Sequence, residues 1–332
     1  VAVIYWSQEL RKDEPEMSII FSECTFASSD GKSRAAGFIW APETKPAGVV
    51  QLSHGMNEYI GRYSVFAEFL CSNGYVVCGH DHIGHGHTAP CDAELGHLPR
   101  RGGGDMLVED LHKMTRIIKE KNPGLPVFLL GHSMGSFVAR LYISKYGTGL
   151  HGAIIVGTGR CDQPTGLGKS VCRATGLVRG GRTRSKLINK LAFGSYLKKI
   201  GKGAPEFAWL SRDMDIVEKY SSDKYCSSFI FTVDGFYTLF DMLGQVSRPG
   251  WAGTIPKTLP ALIMSGTEDP VGGYGRGPQE VYRRLLAAGV GDLTLSLYPG
   301  MRHEILNEIG REKVFADILE WLNKRAGVAR PE

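Results

Sequence analysis

The sequence predicts an α/β protein with a mostly parallel central sheet, helices on both faces, and one mainly helical insertion. Three observations carry this. Short apolar runs alternate with longer helix-like segments over most of the chain. The alternation stops between about Gly157 and Trp251. A glycine-flanked serine stands where one apolar run gives way to a helical pattern.

Met17–Ser28 and Arg34–Pro42 read as two early strands, parted by a Ser-Ser-Asp-Gly turn cluster. Short apolar runs then predict strands at Gly48–Leu52, Tyr75–Cys78, Val127–Leu130, Ala153–Val156, Ala261–Met264 and Leu293–Tyr298. Helices are expected over Arg62–Asn73, Phe137–Tyr146, Gln279–Ala288 and Ile305–Asn323. Leu107, Leu111, Met114, Ile117 and Ile118 form a helical stripe in Met106–Lys121, with Asp105 as the expected N-cap. The stretch 157–251 is basic, glycine-rich near Gly176–Gly181, then aromatic and helix-like. It is too long for a simple loop and reads as an inserted cap or lid, with residues 1–156 and 252–332 forming the core.

Composition narrows the class. Of 332 residues, 42% are apolar and 22% charged, ordinary for a globular protein. No apolar run reaches the roughly 18–20 residues of a membrane span. The opening run Val1–Trp6 is shorter than the core of a secretory signal. Seven scattered cysteines fit no zinc spacing and read as reduced thiols, which points to the cytoplasm. Net charge is +5, yet Lys169 to Lys202 holds ten basic residues within an acid-free stretch, leaving 29 basic against 34 acidic residues elsewhere. Such a block is a solvated face or a weak contact with an anionic lipid surface; no nucleic-acid partner is expected.

The motif that carries chemistry is Gly131-His132-Ser133-Met134-Gly135, after a strand and opening a helix. A sharp strand-to-helix turn exposes the serine hydroxyl, and the helix N-terminus directs N–H groups at a developing oxyanion. A serine needs a base, and this motif's partners follow in the order acid, then histidine. His303 lies in the turn after the last strand, where sites on parallel sheets gather; His151 begins a strand and suits the role poorly. The acid is expected after the Ala261–Met264 strand: Asp269, with Glu268 in reserve and Asp292 disfavoured at the opposite sheet edge. Oxyanion donors are expected at the backbone N–H groups of Met134 and of Met56, in Ser53-His54-Gly55-Met56. Phe236 and Tyr237 are the candidate substrate contacts. His80, His82, His85 and His87 lie close together but lack a metal spacing, so neither metal nor cofactor is expected.

The segments His54-Gly55-Met56-Asn57-Glu58-Tyr59, Asp81-His82-Ile83-Gly84-His85-Gly86-His87, Gly131–Gly135, Gly266-Thr267-Glu268-Asp269-Pro270 and Arg302-His303-Glu304-Ile305-Leu306-Asn307 together resemble the α/β-hydrolase superfamily. Within it they are similar to the monoacylglycerol lipase and lysophospholipase-like branch, although Ile83 stands where many relatives carry Arg. The resemblance implies a serine hydrolase acting on acyl esters such as monoacylglycerols, lysophospholipids or small esters. Its triad would be Ser133, Asp269 and His303, with Met56 and Met134 as oxyanion donors. Acyl transfer by the same triad, or a non-catalytic ligand-binding module on this scaffold, are the competing readings.

Overall fold

The computed structural model describes residues 18–328. Val1–Trp6 and Met17, the expected start of the first strand, lie outside them. The first two strands, β1 (Ile19–Ala27) and β2 (Arg34–Pro42), pair antiparallel, and β2 joins the main sheet antiparallel to β4 (Tyr75–His80). From there β3 (Gly48–Ser53), β5 (Val127–His132), β6 (Gly152–Val156), β7 (Ala261–Gly266) and β8 (Leu293–Tyr298) run parallel. The eight-stranded order is β1-β2-β4-β3-β5-β6-β7-β8.

Strands β3 to β7 are buried along their whole length, which is why they read as unbroken apolar runs rather than alternating ones. Their side chains still alternate between faces. Val50, Leu52, Leu130, Ile154 and Met264 face one layer, formed by α1 (Ser64–Ser72) and the C-terminal helix. Val49, Leu129, Ile155 and Ile263 face the other, formed by α2 (Gly103–Lys121) and α3 (Met134–Tyr146).

Between β6 and β7 the chain builds α4 (Thr165–Arg179), α5 (Lys186–Phe193), α6 (Met214–Ser222) and α7 (Val233–Val246). Phe236, Leu239, Met242, Leu243 and Val246 of α7 join the same apolar cluster as Phe137 and Val138 of α3. The α7 part of the insertion therefore shares the core of the sheet, while Leu210, Tyr220 and Cys226 form a small separate cluster. After β7 come α8 (Arg276–Ala287) and α9 (Arg311–Ala326).

Several expected bounds shift. Asp105 is not the N-cap of α2; Gly102 is, in a left-handed conformation, and Asp105 sits inside the first turn. The expected helix from Ile305 is broken: a 3-10 turn at Ile305–Asn307 ends before Gly310, whose φ of 83° starts α9 afresh. The expected helix from Arg62 begins two residues later, after a 3-10 turn. No helix among the described residues is long and apolar enough to cross a membrane.

Candidate active site

Ser133 caps the N-terminus of α3 with φ 53° and ψ −119°, a strained conformation for a residue bearing a Cβ. Its N–H donates to the Val156 carbonyl of β6 at 3.0 Å, which pins the turn to the sheet. The flanking glycines are steric requirements. A Cβ on Gly131 would lie 2.4 Å from the Gly135 carbonyl oxygen, and one on Gly135 would lie 2.0 Å from that of Ser53. The serine turn is thereby packed directly against the loop that follows β3.

His303 stands in the turn after β8 and is buried. Its Nδ1 lies 3.0 Å from Oδ1 of Asp269, which is wholly buried in the turn after β7. The Val271 N–H donates to the same Oδ1 at 2.8 Å, and the Ser265 hydroxyl to Oδ2 at 3.2 Å, so the carboxylate is held at both oxygens. Glu268, the reserve acid, is exposed. Asp292 pairs with Arg325, and His151 Nδ1 accepts from the Val127 N–H at the opposite sheet edge. A carboxylate accepts, so the proton on His303 Nδ1 faces Asp269 and Nε2 is left as the basic nitrogen.

The loop after β3 is set by two side chains. His54 Nδ1 contacts the Gly55 carbonyl at 2.8 Å and its Nε2 accepts from the His82 N–H at 2.9 Å. The Gly55 N–H donates to Glu58. With both polar groups of Gly55 engaged, the next N–H along the chain, that of Met56, takes no protein acceptor among the described residues. Met134 is the first residue of α3, so its N–H precedes the first intrahelical bond.

Sequence reasoning missed the buried ionic network behind these groups. Glu58 Oε1 accepts from the Tyr63 hydroxyl at 3.0 Å and meets His132 Nδ1 at 3.0 Å, while Oε2 meets Arg62 at 3.0 Å. Arg62 grips Glu304 with two bonds of 2.7 Å. Burial pushes the Glu58 carboxyl up, but the hydrogen bond and charge of His132 together with Arg62 outweigh it and hold Glu58 well below the usual carboxylate range. Burial pushes His132 down, and Glu58 reverses this to leave it raised. Both residues sat inside the motifs already noted, at Glu58 three residues after Gly55 and at His132 beside the serine; their pairing across the fold had no signal in the sequence. His54, His82 and His85 pack ring on ring, with centroids 4.3 and 5.2 Å from His54, and brace the loop after β3.

A cavity of about 580 Å³ opens onto Ser133, with Met56, Met134 and His303 in its wall. Its apolar lining includes Phe137 of α3, Leu167 and Val171 of α4, Ile188 of α5, and Leu239, Phe240 and Leu243 of α7. Asn57, Glu206 and Tyr220 add polar groups. Phe236 and Tyr237 are not in the lining. Phe236 turns inward and packs between Phe231, Phe193 and Phe240, and the Tyr237 hydroxyl accepts from Arg173. Helix register takes Tyr237 off the face that carries 239, 240 and 243; Phe236 shares that face but lies one turn nearer the N-terminus, where Phe193 and Phe231 cover it.

The sheet order, the serine turn after β5 and the loops gathered at the strand C-termini define an α/β-hydrolase. Residues 44–310 match the family model described as Serine aminopeptidase, S33. A monoacylglycerol lipase of Mycolicibacterium smegmatis is 30% identical over 306 residues, covering 91% of this chain and 96% of that protein. The human monoglyceride lipase is 28% identical over 306 residues, covering 88% of each. A thermostable carboxyl esterase of Bacillus coagulans, solved with glycerol, superposes with a TM-score of 0.86 at 30% identity, over 92% of this chain and 99% of that one. The chain therefore belongs to this α/β-hydrolase family, in its monoglyceride lipase-like branch, and is a carboxylic ester hydrolase.

Proposed function

We propose that the protein hydrolyses monoacylglycerols or similar single-chain acyl esters through an acyl-enzyme on Ser133. The observation that carries this is the placing of Ser133, His303, Met56 and Met134 together in the wall of one apolar cavity. His303 takes the Ser133 proton as Oγ attacks the ester carbonyl. The N–H groups of Met56 and Met134 stabilise the oxyanion, at about 10²–10³ in rate per donor. The alcohol leaves with the proton from His303, and water repeats the cycle on the acyl-enzyme. Asp269 holds the imidazole in the required tautomer throughout. The apolar lining suits an acyl chain and the polar side chains suit a hydroxyl-bearing alcohol. Glu58 and Glu304, though at the cavity, are spent on Arg62 and His132, which disfavours recognition of a peptide's amino group.

The insertion over 157–251 acts as the cap that supplies the acyl wall. It exposes Leu177 and Val178 of α4, each 84% exposed, and Leu187 of α5, together with Arg179 and Lys186. This mixture fits weak docking on an anionic lipid surface, where apolar burial and charge act together. The seven free thiols fit a cytoplasmic location.

Hydrolysis of 4-nitrophenyl esters from acetate to palmitate, by wild type and Ser133→Ala, tests the core of this reading. Turnover in the wild type alone supports it, and a medium or long chain optimum supports the lipid substrate. Turnover retained by Ser133→Ala overturns the serine assignment. Acyl glycerol formed when glycerol is added would show transfer in place of hydrolysis. Sedimentation with vesicles that ignores anionic lipid content would end the docking proposal.

A further inference from the structure

His303 is held by more than Asp269. The indole of Trp209, from the segment between α5 and α6, lies 5.3 Å from the imidazole, centroid to centroid, at 40°. The same segment is stitched to the histidine turn. The His303 N–H meets the Trp209 carbonyl at 3.4 Å, and the Glu304 N–H donates to the Leu210 carbonyl at 2.8 Å. Arg302 donates to the carbonyls of Ala208 and Ser211 at 2.6 and 3.0 Å. Behind Trp209 stands Tyr196, 5.0 Å away, and behind that Phe193 at 5.6 Å. Phe193 in turn lies 6.1 Å from Phe236 of α7. A run of rings thus backs Trp209 from the inserted segment onto the imidazole.

We propose that Trp209 is a positioning residue for His303, fixing the ring and favouring its cationic form. The inference rests on the reading of His303 as the base. An aromatic face within about 6 Å attracts a cation more strongly than a neutral ring. In the reaction the imidazole becomes cationic as it takes the serine proton, so this contact strengthens as the transition state is approached. The other groups around the imidazole are accounted for. Asp269 balances the charge at Nδ1. The His132 ring, 4.8 Å away, is itself paired with Glu58. Tyr196 stands behind Trp209, Arg302 is turned to backbone carbonyls, and Glu304 is held by Arg62. Trp209 is the one aromatic ring without a charge of its own that packs on His303 among the described residues.

The test is steady-state hydrolysis of a soluble 4-nitrophenyl ester by wild type, Trp209→Leu and Trp209→Phe, from about pH 5 to about pH 9, a range that spans histidine titration. Trp209→Leu keeps apolar bulk and removes the aromatic face. It is expected to lower kcat by about 2- to 30-fold, the span of a cation–π contact, with KM little changed. The acid limb of its rate profile should move to lower pH, because a less favoured cation gives up its proton more readily. Trp209→Phe should restore most of both. A Trp209→Leu enzyme that raises KM alone, or whose acid limb stays in place, overturns the proposal and leaves Trp209 as a cavity wall. Full turnover by a His303→Ala variant would instead overturn the base assignment, an outcome read separately.

Discussion

His54 grips the carbonyl of Gly55 from within the same loop, at 2.8 Å from Nδ1. A carbonyl only accepts, so Nδ1 carries the proton and Nε2 is free to accept from the His82 N–H. The peptide whose oxygen is held is the one whose nitrogen belongs to Met56. In a trans peptide the two point in opposite directions, so fixing the oxygen aims the N–H. His54→Ala should therefore lower kcat by about 10- to 100-fold, less than the outright loss of an oxyanion donor. Steady-state kinetics with a soluble ester check it, and an unchanged kcat would show that the loop needs no such anchor.

The Asp269 carboxylate accepts from Val271 and Ser265 as well as facing His303, so its replacement by an amide keeps the shape and presents the wrong partner to Nδ1. Asp269→Asn is expected to lose about 10⁴ in kcat with an unchanged fold. Glu268→Gln, at an exposed position, should match wild type. The reverse pattern would reassign the acid.

Gly135 sits where a Cβ would press on the carbonyl oxygens of Ser53 and His54, at 2.0 and 2.5 Å. Both neighbours are backbone of the β3 strand end and cannot swing aside. Gly135→Ala should cost about 1–3 kcal/mol or more and displace the loop after β3, so that activity falls further than stability. Thermal unfolding and kcat measured together separate the two effects; an alanine variant with wild-type values for both would refute the close approach.

Acid should destabilise the fold through the buried histidines. Burial lowers His80 to about 4 and His85 to about 3, and lowers His54 and His82 as well. An unfolded histidine titrates near about 6.5, so below that pH the unfolded chain binds the extra protons and gains on the native state. His132 and His87 are raised by Glu58 and Asp81 and work in the opposite sense, but they are fewer. Stability contributed by these four fully buried rings should be complete above about pH 6.5 and fall away toward about pH 3. A urea midpoint that is the same at about pH 7.5 and about pH 5 would contradict this.

The sequence by itself determined the fold class and all eight strands of the sheet, and it offered Ser133, Asp269 and His303 as the candidate triad. Strands β3 to β7 are buried on both faces, so their apolar runs are plain, and the serine turn needs its glycines for local steric reasons. Asp269 and His303 were legible because they follow strands whose C-terminal ends share one sheet edge. What only the tertiary structure decided lies across the chain. The turn buries Asp269 against His303 and leaves Glu268 exposed, which favours Asp269 as the acid. Leu239, Phe240 and Leu243 line the cavity while Tyr237 is turned off that face of α7 and Phe236, one turn along it, is covered by Phe193 and Phe231. Glu58, His132, Arg62 and Glu304 form one network, and Trp209 reaches His303, only once loops far apart in sequence meet at that edge. Periodicity reports which residues are buried. It carries no information on which buried polar group meets which, because that depends on the approach of separate elements in space.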